Sequence, residues 1–382
     1  MTVLANARVV TPAGVLDPGW VEVTGDRLTS VGSGVAPTAV DLDLSGRIVV
    51  PGFVDTHVHG GGGASYLSAT PEDTATVVGF HRAHGTTTTF ASLISTTADE
   101  LHRQVAALAD LVSDDLLSGI HLEGPWLSTV RRGAHNPAVL RSPAREEVAH
   151  LLRLGRGGVT MVTVAPELPG GLDAVRQIVD AGAVAAVGHS DADYATVLAA
   201  VDRGATVGTH LFNGMPPLHH RTPGPVGALL EDSRVTVELI ADGIHLHPAA
   251  IGLAVRSAGV ERVSLVTDAM AAAGMGDGVY GLGEQSVEVK AGVARLAGGD
   301  SIAGSTLTMG GAFRFAVHDV GLSLEQAARV AATTPARVFG LADRGALEAG
   351  LLADLVVLDA DLAVVAVMRR GCWVTGEPGA AR

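Results

Sequence analysis

The chain is 382 residues long, 47% hydrophobic and 17% charged, with a formal net charge of −14 at pH 7. That length exceeds one minimal core and suits a large α/β domain of about 250–300 residues beside a smaller one. The acidic balance argues against nucleic acid and anionic membranes as partners, since both need basic surfaces. Any anionic substrate must then be held by a few local cations.

Aromatic residues make up only 3% of the chain, so its core is built from valine, leucine and alanine. Cys372 is the single cysteine, which rules out an intrachain disulfide and points to a reducing compartment. Met1-Thr2-Val3-Leu4 lacks a basic region followed by an apolar core, and no uncharged apolar run is long enough to span a bilayer. A cytoplasmic location is expected. Lys290 is the only lysine in the chain.

The first 47 residues read as short strands joined by turns: 3–10, 20–23 and 27–32, with Thr24-Gly25-Asp26 turning between the last two. The other end reads alike, with strands over 354–359 and 363–367. Neither end can bury a core alone. The expectation is one small β-sandwich made from residues 1–50 and 345–382, flanking a middle domain of residues 51–344.

Within the middle, apolar strands fall near 48–57, 85–92, 118–124, 159–166, 183–190, 205–213, 235–242 and 262–269. Helical patterns separate most of them, over 71–83, 99–113, 144–154, 172–181, 191–203 and 247–258, and a last helical region covers 323–339. Thr70, Pro71 and Asp73 give the first helix a clear start, as N-cap, first-turn proline and first-turn acid. Eight strands alternating with helices predict a closed (β/α)₈ TIM-type barrel. A doubly wound open sheet is disfavoured because no glycine-rich phosphate fingerprint follows the first strand.

Such barrels place their chemistry at the C-terminal ends of the strands. The polar residues there are His57 and His59, Glu123, His189, His210, Asp242 and Asp268. His57 and His59 form a His-x-His pair whose side chains share a face by strand alternation, and four glycines follow to let the backbone turn. His57, His59, Glu123, His189, His210 and Asp268 make a nitrogen and oxygen donor set that suits Zn²⁺, with Fe²⁺, Mn²⁺ or Co²⁺ as alternatives. Six donors exceed what one tetrahedral ion needs. With Glu123 bridging, they divide into His57/His59/Asp268 and His189/His210. Asp268 is the natural general base for a water activated there, and later the acid for a leaving group.

Seven segments carry a resemblance. His121-Leu122-Glu123-Gly124-Pro125, Gly133-Ala134-His135-Asn136-Pro137, Gly188-His189-Ser190, Thr209-His210-Leu211-Phe212-Asn213-Gly214-Met215, Ala241-Asp242-Gly243-Ile244-His245, Thr267-Asp268-Ala269-Met270 and Ala303-Gly304-Ser305-Thr306-Leu307-Thr308-Met309 occur in this order. In this the chain resembles the N-acetylglucosamine-6-phosphate deacetylases of the amidohydrolase superfamily, over essentially its whole length. The resemblance implies Glu123, His189 and His210 as metal ligands and Asp268 as catalytic acid/base. It implies His245 as the residue that polarises the scissile carbonyl. Substrate contacts are implied for Ala134, His135, Asn213, Gly214, Asp242 and the Ile302-Ala303-Gly304 turn. Arg221 matches an arginine that pairs with the 6-phosphate from a neighbouring subunit, which implies a homodimer. Some members replace the His-x-His pair and hold one ion; this chain keeps both histidines, so two ions are expected.

The implied reaction is hydrolysis of N-acetyl-D-glucosamine 6-phosphate to D-glucosamine 6-phosphate and acetate, and an N-acetylgalactosamine 6-phosphate deacetylase would use the same machinery. A dihydroorotase or hydantoinase would generally bridge its metals with a carboxylated lysine from a barrel strand. Lys290 lies after the eighth strand, in a hairpin-like segment over 279–297 expected to cover the barrel mouth. A non-catalytic relative would be expected to have lost metal ligands, and none is lost.

Overall fold

A computed structural model of the protein describes residues 1–376 and residue 378; residues 377 and 379–382, the tail of the second flanking segment, lie outside the described residues. The centre is a ring of eight parallel strands: Phe53–Asp55, Thr86–Leu93, Gly119–Glu123, Val159–Val164, Val184–Val187, Val207–Gly208, Thr236–Ile240 and Val263–Val266, each beside the next. Alternate strand residues, among them Ile120, Leu122, Val162, Val164, Val237 and Leu239, share the main apolar core, while the residues between them include the buried polar groups Ser92, His121, Thr163, Glu238 and Ser264. Between the last strand and the first, closure is irregular. The Asp55 carboxylate accepts from the Thr267 backbone at 3.2 Å and the Thr267 hydroxyl at 2.6 Å. Asp268 N–H donates to the His57 carbonyl at 2.8 Å, and His59 N–H to that of Ala269 at 2.8 Å.

The helices largely match the sequence pattern. Pro71–Ala83 begins where Thr70 caps it, the threonine hydroxyl accepting from Asp73 N–H at 3.3 Å. Its His81 is fully buried, with its ring 2.9 Å from the Gly60 carbonyl, and burial pushes its pKa down to about 4. Two helices escaped the sequence reading, Gly224–Glu231 and Met309–His318. Gly224, Pro225 and Gly227 hide the periodicity of the first. The sixth strand, expected over 205–213, keeps only Val207–Gly208, because His210 and Phe212 turn to positive φ and leave the sheet.

Both chain ends meet in one eight-stranded sheet, and Arg27 bridges to Leu352. Leu4, Val9, Val21, Leu28, Val49, Leu355, Val357 and Met368 share its apolar core. The run expected as one barrel strand from 48 to 57 is divided. Ile48–Pro51 belongs to this flanking sheet, antiparallel to Leu355–Leu358, and only Phe53–Asp55 enters the barrel. Gly52 is the crossing point, its N–H donating to the Asp354 carbonyl at 2.9 Å. A β-carbon on Gly52 would stand 2.3 Å from Thr87 Oγ1 and 2.9 Å from Thr87 Cβ.

Above the barrel, Gly278–Leu282, Gln285–Lys290 and Val293–Leu296 form a three-stranded antiparallel sheet. It docks through Leu282, Val287, Val289 and Ala294 onto Ile94, Met270, Ala272 and Ala303.

The crossing point yields a paired prediction. Gly52→Ala forces a rigid threonine aside and should cost about 1–3 kcal/mol. Gly79→Ala, in an exposed helix turn where the new methyl meets nothing within 4 Å, should gain about 0.5–1 kcal/mol. Thermal and urea denaturation of the two variants would measure both signs.

Candidate active site

The strand ends deliver the expected residues to one place. His57 and His59 lie just past the first barrel strand, yet their Nε2 atoms approach to 3.3 Å. Glu123 ends the third strand, and its Oε1 lies 3.1 Å from His189 Nε2 and 2.9 Å from His210 Nε2. Its Oε2 faces His59 Nε2 at 3.2 Å, and Asp268 Oδ1 lies 3.1 Å from that same nitrogen. Glu123 thus stands between the two histidine pairs. All six residues are buried, with Asp268 the most exposed at 8%.

Three of these residues hold left-handed backbone, with φ of 47° at His189, 27° at His210 and 50° at Asp268. Such conformations cost about 1–3 kcal/mol each and persist where surrounding contacts impose them. Here Ser128 N–H donates to the His189 carbonyl at 2.9 Å, and Asp268 N–H to His57.

The ring orientations decide what the site can hold. His59 Nδ1 donates to the Ser92 carbonyl at 3.0 Å and His189 Nδ1 to the Arg131 carbonyl at 2.8 Å. His57 Nδ1 faces the Glu238 carboxylate at 3.2 Å. Each of these contacts puts the proton on Nδ1 and leaves the Nε2 lone pair aimed into the cluster, the tautomer a metal ligand needs. The donor set therefore fits a divalent ion. His135 is different. The Ser95 backbone N–H points at its Nδ1 (3.3 Å), so its Nε2 carries the proton and faces Glu123 Oε2 at 3.5 Å. His135 is a hydrogen-bond donor to the cavity rather than a ligand.

Electrostatics agree. Burial alone would depress His57, but Glu123, Asp268 and Glu238 together hold it well above its ordinary value. Burial likewise opposes His59, whose contacts to Asp268 and Glu123 raise it to about 9. Burial would raise Glu123, but the surrounding histidines, His57 foremost, bring it well below the usual carboxylate range. The cluster draws positive charge to itself.

A cavity of about 350 Å³ opens over this cluster. His59, Glu123, Ala134, His135, His189, His210, Asn213, Gly214, His245, Asp268, Ile302 and Gly304 line it, among others. His57 lies behind, fully buried. The Ala303 side chain packs into the apolar cluster under the three-stranded sheet. Asp242 also stands behind the lining: its Oδ2 accepts from His245 Nδ1 at 2.7 Å, and its Oδ1 from the backbone of Ile244 and His245 at 2.8 Å each. Burial opposes a charged His245, but Asp242 outweighs it and raises the imidazole. Arg221 is exposed, touches His220, and does not line the cavity within one chain.

Several participants were missed from sequence. Glu238, in the middle of Thr236–Ile240, holds His57 and also approaches Thr56 Oγ1 at 3.3 Å. Its signal was a carboxylate inside an otherwise apolar strand, which a search of strand ends passes over. Ser95, whose hydroxyl lies 2.9 Å from His135 Nδ1, and Arg295, Asp300 and Ser301 at the cavity edge carried no comparable mark.

A parallel eight-stranded barrel with histidine and carboxylate donors gathered at its strand ends defines a class of hydrolases, and a model described as the amidohydrolase family matches residues 48–376. The chain belongs to the amidohydrolase family. It is similar to the N-acetylglucosamine-6-phosphate deacetylase of Vibrio furnissii, 37% identical over 86% of this chain and 82% of that protein. It is also similar to the N-acetylgalactosamine-6-phosphate deacetylase of Escherichia coli O157:H7, 34% identical over 98% of each. The crystal structure of N-acetyl-D-glucosamine-6-phosphate deacetylase from Mycobacterium smegmatis superposes with a TM-score of 0.96 at 53% identity, covering 98% of this chain and 100% of that one.

Protons compete with an ion for these imidazoles, so uptake releases protons and affinity rises with pH. Because His59 keeps its proton up to about pH 9, equilibrium dialysis of Zn²⁺ should show affinity still climbing above the ordinary histidine range near 6.5. Glu238→Gln keeps the shape but removes the charge behind His57, and should weaken uptake about 10–100-fold at fixed pH.

Proposed function

We propose that the protein hydrolyses the acetamide of N-acetyl-D-glucosamine 6-phosphate, giving D-glucosamine 6-phosphate and acetate. The observation that carries this reading is the placement of Asp268 and His245 in one cavity with the ligand-ready cluster, in a chain whose full-length relatives bear the names of amino-sugar-phosphate deacetylases. A divalent ion bound by His57, His59, Glu123, His189, His210 and Asp268 would supply Lewis acidity to the acetamide carbonyl and acidify the attacking water. We read two ions, with zinc the best match to the donors and Fe²⁺, Mn²⁺ or Co²⁺ as alternatives.

The chain's own groups account for the proton movements. Burial would raise Asp268, but His57 and His59 outweigh it and bring its carboxyl down to about 2, so it is ionised at neutral pH. It takes a proton from the attacking water as that oxygen bonds to the carbonyl carbon. His245, whose imidazole Asp242 raises against the opposing effect of burial, is the group in the cavity that can offer a hydrogen bond to the carbonyl oxygen as charge develops there. When the carbon–nitrogen bond breaks, Asp268 returns its proton to the departing amine, and the acetic acid that is left gives up its remaining proton to solvent as acetate. His135 Nε2–H, together with Asn213 and Gly214, is placed to position the sugar.

We further read the phosphate as held by Arg221 of a second copy, in a cytoplasmic homodimer. Support comes from its exposure and from its absence from the cavity of its own chain. A guanidinium fork suits a phosphate even in an acidic protein. The division into segments 1–50, 51–344 and 345–382 remains our reading of the domain limits. Among the described residues, no helix is long and apolar enough to cross a membrane.

Acetate release from N-acetylglucosamine 6-phosphate, its galacto epimer and the unphosphorylated sugar tests the substrate. Arg221→Ala should abolish the preference for phosphorylated sugar while leaving metal content unchanged; persistence of that preference would remove Arg221 from the phosphate site. Heterodimers of Arg221→Ala with Asp268→Asn should regain activity at one site in two, because each subunit then supplies what the other lacks. If activity falls instead to the mean of the two parents, the shared-site arrangement is wrong.

A further inference from the structure

The cavity has two walls of different origin. Its floor is the cluster brought by the barrel strands. Its outer edge comes from the three-stranded sheet and the turn beyond it: Leu282, Arg295, Asp300, Ser301 and Ile302. Arg295 is the one lysine or arginine among the lining residues. Its neighbour Ala294 is buried against the barrel, while Arg295 is exposed at the rim and, with Asp300, borders both this cavity and an outer groove beside Glu288 and Lys290.

This edge is held in place. Leu296 N–H donates to the Ser301 carbonyl at 3.0 Å and Ala303 N–H to that of Ala294 at 3.1 Å, closing a tight hairpin around residues 297–300. The Arg295 guanidinium donates to the Asp300 carbonyl at 2.7 Å, which ties the tip to the strand. Glu288 is its cross-strand neighbour, yet among the described residues no ion pair involves Arg295 or Asp300. The edge therefore presents guanidinium N–H donors, a carboxylate and a hydroxyl that no other side chain has claimed.

A carboxylate beside a guanidinium suits neutral hydroxyls, which donate to the first and accept from the second. A phosphate dianion would meet repulsion from the carboxylate. We propose that Asp300 and Arg295 bind ring hydroxyls of the sugar and thereby decide between the gluco and galacto epimers. The inference rests on the amino-sugar-phosphate reading: with the amide over the floor, the rest of the ring extends towards this edge. The epimers differ in the direction of one hydroxyl, and one hydrogen bond to a charged group is enough for about tenfold discrimination.

The test is acetate release from both epimeric 6-phosphates, with metal content measured, for the wild-type protein, Asp300→Asn and Arg295→Gln. The wild type should favour one epimer by about tenfold or more, and each variant should bring the ratio within about threefold of unity by losing rate on the preferred epimer. Metal content should not change. Arg295→Lys, which keeps charge but loses the fork, should fall between. An unchanged ratio in both variants, an equal fall on both epimers, or a wild type that does not discriminate would overturn the proposal. Loss of preference for phosphorylated over unphosphorylated sugar in Arg295→Gln would make the edge an anion site instead, and overturn it too. If the wild type releases acetate from neither epimer while loaded with metal, the reaction assigned above fails, a result distinct from failure of the edge alone.

Discussion

The buried carboxylate of Glu123 sets the terms for everything around it. Five imidazoles lie within 3.5 Å of its oxygens: His57, His59, His135, His189 and His210. An isolated carboxylate so deeply placed would cost several kcal/mol, and these histidines are the partners that make its burial tolerable. His57 and His59 follow the first barrel strand, His135 lies in the loop beyond Glu123, and His189 and His210 follow two further strands, so the charge is satisfied only when distant parts of the barrel come together. The site and the fold are one constraint.

That constraint explains the local irregularities. Left-handed backbone at His189, His210 and Asp268 aims side chains inward where a continuing strand would carry them past. Closure through Asp55 and Thr267 in place of regular ladder pairs has the same effect, leaving the carbonyls of His57 and Ala269 to order the two lips of the barrel. Carboxylates and carbonyls behind the imidazoles then fix which nitrogen carries the proton. Glu238, Ser92 and Arg131 do this for three histidines, and Ser95 does the reverse for His135. The same side-chain type becomes ligand or donor according to what stands behind it.

Much of this was legible in the sequence, because strand-end position and residue chemistry are both written there. Runs such as Val159–Val164 announce buried strands, and histidine or acid at their ends announces the site. What was hidden depends on three dimensions. Gly52 reads as part of a continuous apolar strand, and only the proximity of Thr87 shows why the chain changes sheets there. Glu238 sits mid-strand, where polarity has no positional signature. Arg295 and Asp300 belong to a polar segment whose relation to the cavity depends on how Val287 and Val289 dock beneath it. Arg221 was legible only through resemblance, and its exposure in one chain supplies no local reason to single it out.

The handover at Gly52 also ties the site to segments far from it in sequence. Ile48–Pro51, immediately before His57 and His59, finds a ladder partner in Leu355–Leu358, near the opposite terminus. On its other side the same strand pairs with Arg8 and Val9, so the lead-in to both histidines is clamped between the two flanking segments. Fraying of either flanking segment would therefore reach His57 and His59 through the single crossing at Gly52, with no contact to the cavity needed.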